Sequence, residues 1–415
     1  MRTGKRLAAV AAVAGTSLLV ATACTGGSGD PAGDTAAGFT ACADKPTTCN
    51  SGSTRKGGTL TYAIEKTITN WNVNDTDGNG LDFGYIARTM LPQAFTPQPD
   101  LKPVMNTDLL ESAEQTSADP QTIVYKIQSK ATWDDGTPVS ADDFVYAWQT
   151  QNGRDCLDCA AANSSGYNQM QSVTGSDDGR TVTVVYGTPF TDWQQKFASM
   201  YPAHVARQHG DLAASWKWFT ENRINFSAGP FKLAEYNKDV SVTLVPNDRW
   251  YGKDRSPLSK LIFRIITDQD QEIPALRNNE VQVVYPQPSR DIIDQVKQIP
   301  DVNYTIGHGL QWEHLDLNLK NKFLADRNLR QAIFTATDRD EIISRTVGQF
   351  DPSVKPLNSH NLTPGAEGYK DVVTPTGAGT GNVDAAKKVL TDAGYKDVGT
   401  ELKTPAGEPV RLRIA

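Results

Sequence analysis

The residues that could carry out chemistry in this chain are sparse and closely spaced. Its 415 residues include five cysteines, Cys24, Cys42, Cys49, Cys156 and Cys159, and five histidines. Cys156 and Cys159 form a Cys-x-x-Cys pair inside a polar loop, NGRDCLDCAAANSSG. Such a pair serves as half of a zinc site, as a redox couple, or as a structural disulfide. A zinc site needs two more ligands, and Cys42 with Cys49 has the wrong spacing for a ribbon. A redox couple opens a helix after a strand, whereas this pair lies in a loop. Four cysteines besides Cys24 allow three pairings. The local ones, Cys42–Cys49 and Cys156–Cys159, are the simplest, each worth about 2–2.5 kcal/mol in the chain-entropy model. His204 with His209, and His308 with His314, lack the helical spacing of a zinc pair. Gly-x-Ser-x-Gly, His-Glu-x-x-His and Ser-x-x-Lys do not occur in the context that hydrolysis requires. The acidic DDG and SDDG segments read as turns, not as a paired acid–base site. A secreted hydrolase is therefore a poor fit, and neither cofactor nor metal is expected.

The first residues set the compartment. Arg2, Lys5 and Arg6 precede an apolar run, Leu7 to Val20, as in a secretory leader. The run is shorter than the roughly 20 apolar residues of a membrane span. Ala21-Thr22-Ala23-Cys24 resembles a lipobox with Ala21 where Leu is usual, so residues 1–23 are expected to be a lipoprotein signal peptide and Cys24 the lipidated residue. Two acyl chains on a cysteine suffice for stable anchoring. Residues 24–57 are rich in Gly, Ser, Thr, Asp and Ala, and read as a flexible tether. Net charge is −7 with a pI near 5.4, which argues against a nucleic-acid partner. The length suits two or three domains.

The elements that would position a site are legible from residue 58 onward. Gly57-Gly58 precede an alternating strand, Thr59 to Ile64. Ile123, Tyr125 and Ile127 alternate in a second strand. Asp135-Gly136-Thr137-Pro138 is turn chemistry, and Ser140 with Asp143 resembles a capping box for a helix that carries Phe144, Ala147 and Trp148. Trp133 reads as a packing residue. Ser176 to Arg180 predicts a hairpin turn before Thr181 to Tyr186. A helix is expected from Asp192-Trp193 through Phe197. Gly229-Pro230-Phe231-Lys232-Leu233 begins a strand pair ending at Pro246 to Gly252. Leu261 to Ile266 predicts a strand, Gln271 to Asn278 a helix, and Glu280 to Val284 a short strand. Leu329, Ala332, Ile333 and Ala336 share a helical face, and Thr337 or Asp338 caps the next helix. Ala385 to Leu390 predicts a last helix that stops at Asp392-Ala393-Gly394-Tyr395.

The order Trp-x-Asp-Gly-x-Pro-x-Ser-Ala-x-Asp at Trp133 to Asp143 resembles the signature of the family 5 solute-binding proteins, the oligopeptide-binding components of ABC importers. Gly229-Pro230-Phe231, the Asn247 to Gly252 turn and Arg327 to Ile333 resemble later motifs of the family, in the family's order. The Cys-bearing loop and lipobox resemble its actinobacterial lipoprotein members. The resemblance implies an α/β fold, periplasmic-binding-protein-like type II: two α/β lobes with an extra subdomain, hinged around a cleft. Residues 58–415 are then the solute-binding domain. Residues 58–280 form the first lobe plus extra subdomain, and 281–415 the start of the second lobe. Pro409 to Ala415 begins a strand that enters the second lobe in the family, so the domain is expected to be C-terminally incomplete.

The implied function is a binding one, not an enzymatic one. The protein would capture peptides outside the cytoplasmic membrane and deliver them to an ABC permease, as a monomer held by its lipid anchor. The same fold binding an oligosaccharide or a metal chelate is the alternative. By position in the family, the ligand-binding residues are Glu65 and Trp71 after the first strand, Tyr85 on the next helix, and Trp312, Glu313, His314 and Asn318 on the strand-like run QWEHLDLNL. Trp71 and Trp312 have core packing as their alternative, Glu65 a solvated loop.

Overall fold

The computed structural model describes residues 55–98, 102–176, 178–306, 313–360, 362, 364 and 368–414. Cys24, Cys42, Cys49, Trp312, the leader and nearly all of the tether lie outside them.

Two four-stranded sheets share one core. The first has the order β1 (Thr59–Ile64), β10 (Lys260–Ile265), β9 (Ser241–Pro246), β8 (Phe231–Asn237). β1 runs parallel to β10, and the remaining pairs are antiparallel. Gly57 and Gly58 both hold positive φ, 85° and 88°, a backbone that glycine adopts without steric cost. The expected strand over Glu280 to Val284 forms only a single parallel bridge, Tyr62 to Val283, beside β1.

The second sheet has the order β4 (Leu110–Ala118), β5 (Gln121–Ile127), β7 (Thr181–Tyr186), β6 (Met170–Gly175), all antiparallel. Ile123, Tyr125 and Ile127 point inward and are at most 2% exposed. α2 (Ala141–Gln151) lies against β6 and β7. Ser140 and Asp143 form its capping box, with Asp143 Oδ2 accepting from the Ser140 N–H at 2.9 Å. Trp133 is fully buried, as a packing residue should be. A short hairpin, β2 (Phe95–Pro97) with β3 (Pro103–Met105), completes this part.

The signature turn ties the two sheets together. Gly136 has φ 95°, and the turn closes through Trp133 N–H to Thr137 O at 2.8 Å. Asp134 donates its N–H to Ser227 O (2.7 Å), and its Oδ1 accepts from the Ser227 N–H (2.8 Å). Ser227 leads directly into Gly229 and β8. A Cβ on Gly229 would sit 2.2 Å from Thr89 O, near the C-terminal end of α1 (Leu81–Met90). The Gly-Pro motif is thus a close-packing point between α1 and the first sheet. Arg180 fixes the other side of the turn, donating to the carbonyls of Gln128, Ser129, Ala131 and Val139 at 2.9–3.2 Å.

α3 (Ala203–Ala206) and α4 (Leu212–Glu221) flank α2. The disulfide Cys156–Cys159 is formed and packs against Trp216 of α4. Expected helix from Asp192 through Phe197 is only a 3-10 turn, Trp193–Gln195. Phe197 takes φ 58° and is fully buried, so the backbone leaves the helical region to insert that ring into the core.

After β10 come α5 (Glu272–Arg277) and α6 (Arg290–Val296). Residues 313–414 build a separate small core around α7 (Arg327–Ala336) and α9 (Val383–Asp392), centred on Leu324, Leu329, Ala332, Ala386, Leu390 and Tyr395. Asp338 caps α8 (Arg339–Arg345), accepting from the Glu341 N–H at 2.8 Å. Two expected strands are absent here. Residues 313–318 join no sheet among the described residues, and the segment from Pro409 gains only an isolated bridge to Lys403 and the Val410 N–H bond to Leu402 O at 2.8 Å. An alternating segment without a continuous ladder of N–H and C=O partners is not a strand. Ala336, expected on the buried face of α7, is exposed, and Thr335 is buried in its place.

Candidate functional site

Parallel pairing of β1 with β10 brings the segments that follow them out at the same edge of the sheet. Glu65 follows β1, and Gln269 and Glu272 follow β10. The crevice outside the carboxyl ends of parallel strands is where open α/β sheets take their ligands. Gln269 Nε2 donates to Glu65 Oε2 at 2.9 Å, joining the two segments directly. Asp82, in the first turn of α1, accepts from the Lys66 N–H at 3.0 Å. The Tyr62 ring, within β1, lies 5.4 Å from Tyr85 on α1 and 5.9 Å from Phe263 on β10.

The electrostatics of this edge are set by burial and by like charge. Glu272 is 1% exposed, and neither of its carboxylate oxygens has a hydrogen-bond partner among the described residues. Burial raises its pKa to about 7, and the nearby Glu65 and Asp82 push it the same way. Burial also raises Asp82, against the pull of the Lys66 and Glu65 backbone N–H groups. Tyr62 and Tyr85 are raised too, chiefly by desolvation, with Tyr285 and Asp82 adding to both. Tyr62 and Tyr85 therefore stay neutral near pH 7.

The seven expected ligand residues fall in different places. Glu65 and Tyr85 converge at the strand-end edge. Trp71 is a packing residue in this structure: it is 5% exposed, edge-on to Phe83 and Tyr236 at 5.6 and 4.9 Å. It backs α1 from the core side. Glu313 is exposed and accepts from Gln287 Nε2 at 3.1 Å, which links it to the segment after Tyr285. His314 is exposed and pairs with Asp316 at 3.1 Å. Asn318 is exposed too, and its Oδ1 accepts from the Lys320 N–H at 3.0 Å in a local turn. Trp312 lies outside the described residues. Asp82, Glu272, Gln269 and Tyr62 were not anticipated. The acidic run Asp268 to Glu272 directly after a strand, with Glu272 beside apolar Ile273, was the available signal.

Among the described residues no group of three His, Cys, Asp or Glu side chains is placed to hold a metal ion, and no helix is long and apolar enough to cross a membrane.

Residues 105–415 match the family model for bacterial extracellular solute-binding proteins, family 5 Middle. The chain belongs to the family 5 solute-binding proteins. Its fold is accordingly α/β, periplasmic-binding-protein-like type II. Oligopeptide-binding protein OppA of Mycobacterium tuberculosis is 28% identical over 354 residues, 83% of this chain and 57% of that protein. Dipeptide-binding protein DppE of Bacillus subtilis is 28% identical over 241 residues, 55% of this chain and 43% of that one. The structure of a periplasmic EDTA-binding protein, EppA, is 39% identical, with a TM-score of 0.78 covering 88% of this chain and 69% of that one. Oligopeptide-binding AppA of Bacillus subtilis, in complex with a nonapeptide, shares the fold at 21% identity, with a TM-score of 0.69 covering 86% of this chain and 68% of that one. The chain spans about half the length of the curated relatives it matches. The family 5 signature at Trp133 to Asp143 joins the two sheets through Asp134 and Ser227, and its Asp134 and Asp135 also line a cavity of about 440 Å³ with His209 and Trp218.

Proposed function

We propose that this family 5 solute-binding protein captures peptides outside the cytoplasmic membrane and passes them to the permease of an ABC importer. No catalysis forms part of this reading. The observation that carries it is the meeting of Glu65, Tyr85 and Glu272 at the carboxyl ends of β1 and β10. There the half-buried Glu65 and Tyr85 stand at the strand ends beside the buried Glu272, a set of polar groups that can orient a ligand. The relatives OppA and DppE, named for oligopeptides and dipeptides, support the choice of ligand. Residues 58–280 are proposed as the first lobe with its extra subdomain and 281–415 as part of the second. Glu313, His314 and Asn318 would face the ligand from the second lobe, with Trp312 beside them. Residues 1–23 would be a lipoprotein signal peptide, Cys24 the lipid anchor, 24–57 the tether, and Cys42–Cys49 a second local disulfide. The protein would act as a monomer.

A metal chelate is the second reading, favoured by the 39% identity to the EDTA-binding protein EppA. Thermal shift separates the two. A binder of the native state raises the unfolding midpoint, by an increment that grows with its concentration over Kd. A tri- to pentapeptide mixture is expected to raise it and metal–EDTA is not. A rise with the chelate alone would overturn the peptide reading.

A further inference from the structure

Glu272 is a buried carboxyl with no hydrogen-bond partner among the described residues, a costly arrangement unless something supplies one. It opens α5 at the strand-end edge, and the charges that bear on it are two more carboxylates, Glu65 and Asp82. Lys66 and Arg88 bear on Asp82 and Tyr85. The three carboxylates do not converge as metal ligands, and the described residues hold no such group elsewhere. A bare ion is thus a poor occupant. An ammonium group is a good one, because its three N–H donors reach separate acceptors and each bond is charge-assisted. A polyanion, by contrast, would meet like charge on three sides.

We propose that Glu272, with Glu65 and Asp82, forms a subsite for a protonated primary amine carried on a side chain of the ligand. The inference deepens the peptide reading and rests on it for the lysine side chain as the amine's source. In chemical terms the protein selects ligands with a basic side chain over isosteric neutral ones.

The test is calorimetry on the full chain with tripeptides carrying lysine, or isosteric norleucine, at each position of trialanine in turn. 1,5-Diaminopentane serves as an amine probe without a peptide backbone. Wild-type protein is expected to prefer lysine at one position by about tenfold or more, the scale of a charge-assisted hydrogen bond. Glu272→Gln should bring that ratio close to one, and Glu65→Gln should lower it in the same direction. Both variants are to be checked for a wild-type circular dichroism spectrum, and either alone keeps the test open if the other fails to fold. Equal affinity for lysine and norleucine at every position of the wild type overturns the subsite and leaves the peptide reading standing. So does a preference that survives Glu272→Gln. If no tripeptide binds, the peptide reading falls. Diaminopentane binding that is lost in Glu272→Gln would then still support the subsite, and its failure to bind would overturn that as well.

Discussion

Glu272 departs from the ordinary chemistry of a glutamate. Its folded pKa, about 7, lies above its usual 4.5. The stability it contributes is therefore complete below pH 4.5 and is lost as pH rises through 7, because only the unfolded state ionises freely in that window. Urea melts of wild type and Glu272→Gln should differ little at pH 4.5. At pH 8 the variant should be the more stable by about 2 kcal/mol, allowing for partial relaxation of the buried charge. Identical curves at both pH values would refute the assignment. Two other residues make sharp predictions. Gly229→Ala forces a methyl to within 2.2 Å of a backbone carbonyl and should cost about 2–3 kcal/mol in a denaturant melt. Arg180→Ala removes a guanidinium from four carbonyls and should cost about 3 kcal/mol. Gly229, Trp133 and the Ser140–Asp143 box were legible in the sequence because each expresses a local rule. Glu272 was not, because its burial depends on β10 pairing with β1, some 200 residues away in the chain.

Elements followed their local signals where those were strong and failed where a partner was needed. β5, α2, β10, α5, α7 and α9 stand close to where periodicity and caps put them. The segments 280–284, 313–318 and 410–414 have strand-like alternation but gain a single bridge or none, since pairing is a tertiary property. The Phe197 segment went the other way, its helical turn cut short by the demand for a ring in the core. Caps offer a clean test at this scale. Asp338→Ala removes the acceptor for the Glu341 N–H and should destabilise α8 by about 1 kcal/mol. Faster amide exchange confined to residues 339–345 would report it, and unchanged exchange there would show the cap to be idle.

At the scale of the molecule, the largest core holds both sheets and a smaller one holds α7 and α9. Two minor clusters pack α5 at the strand-end edge. Within the first part α1 carries Asp82 and Tyr85, α5 carries Glu272, and Glu65 stands in the bend directly after β1. The sequence resemblance identified this family and its architecture correctly, yet named only part of the edge, because family position says where a ligand is met and not which side chains fold in beside it. The central claim is that the ligand is held at the carboxyl ends of β1 and β10. Hydrogen exchange with and without a saturating tripeptide mixture addresses it most directly. The account predicts slowed exchange over residues 62–66, 81–88 and 266–273. Protection confined to the signature turn and α4, with the strand ends unchanged, would contradict it.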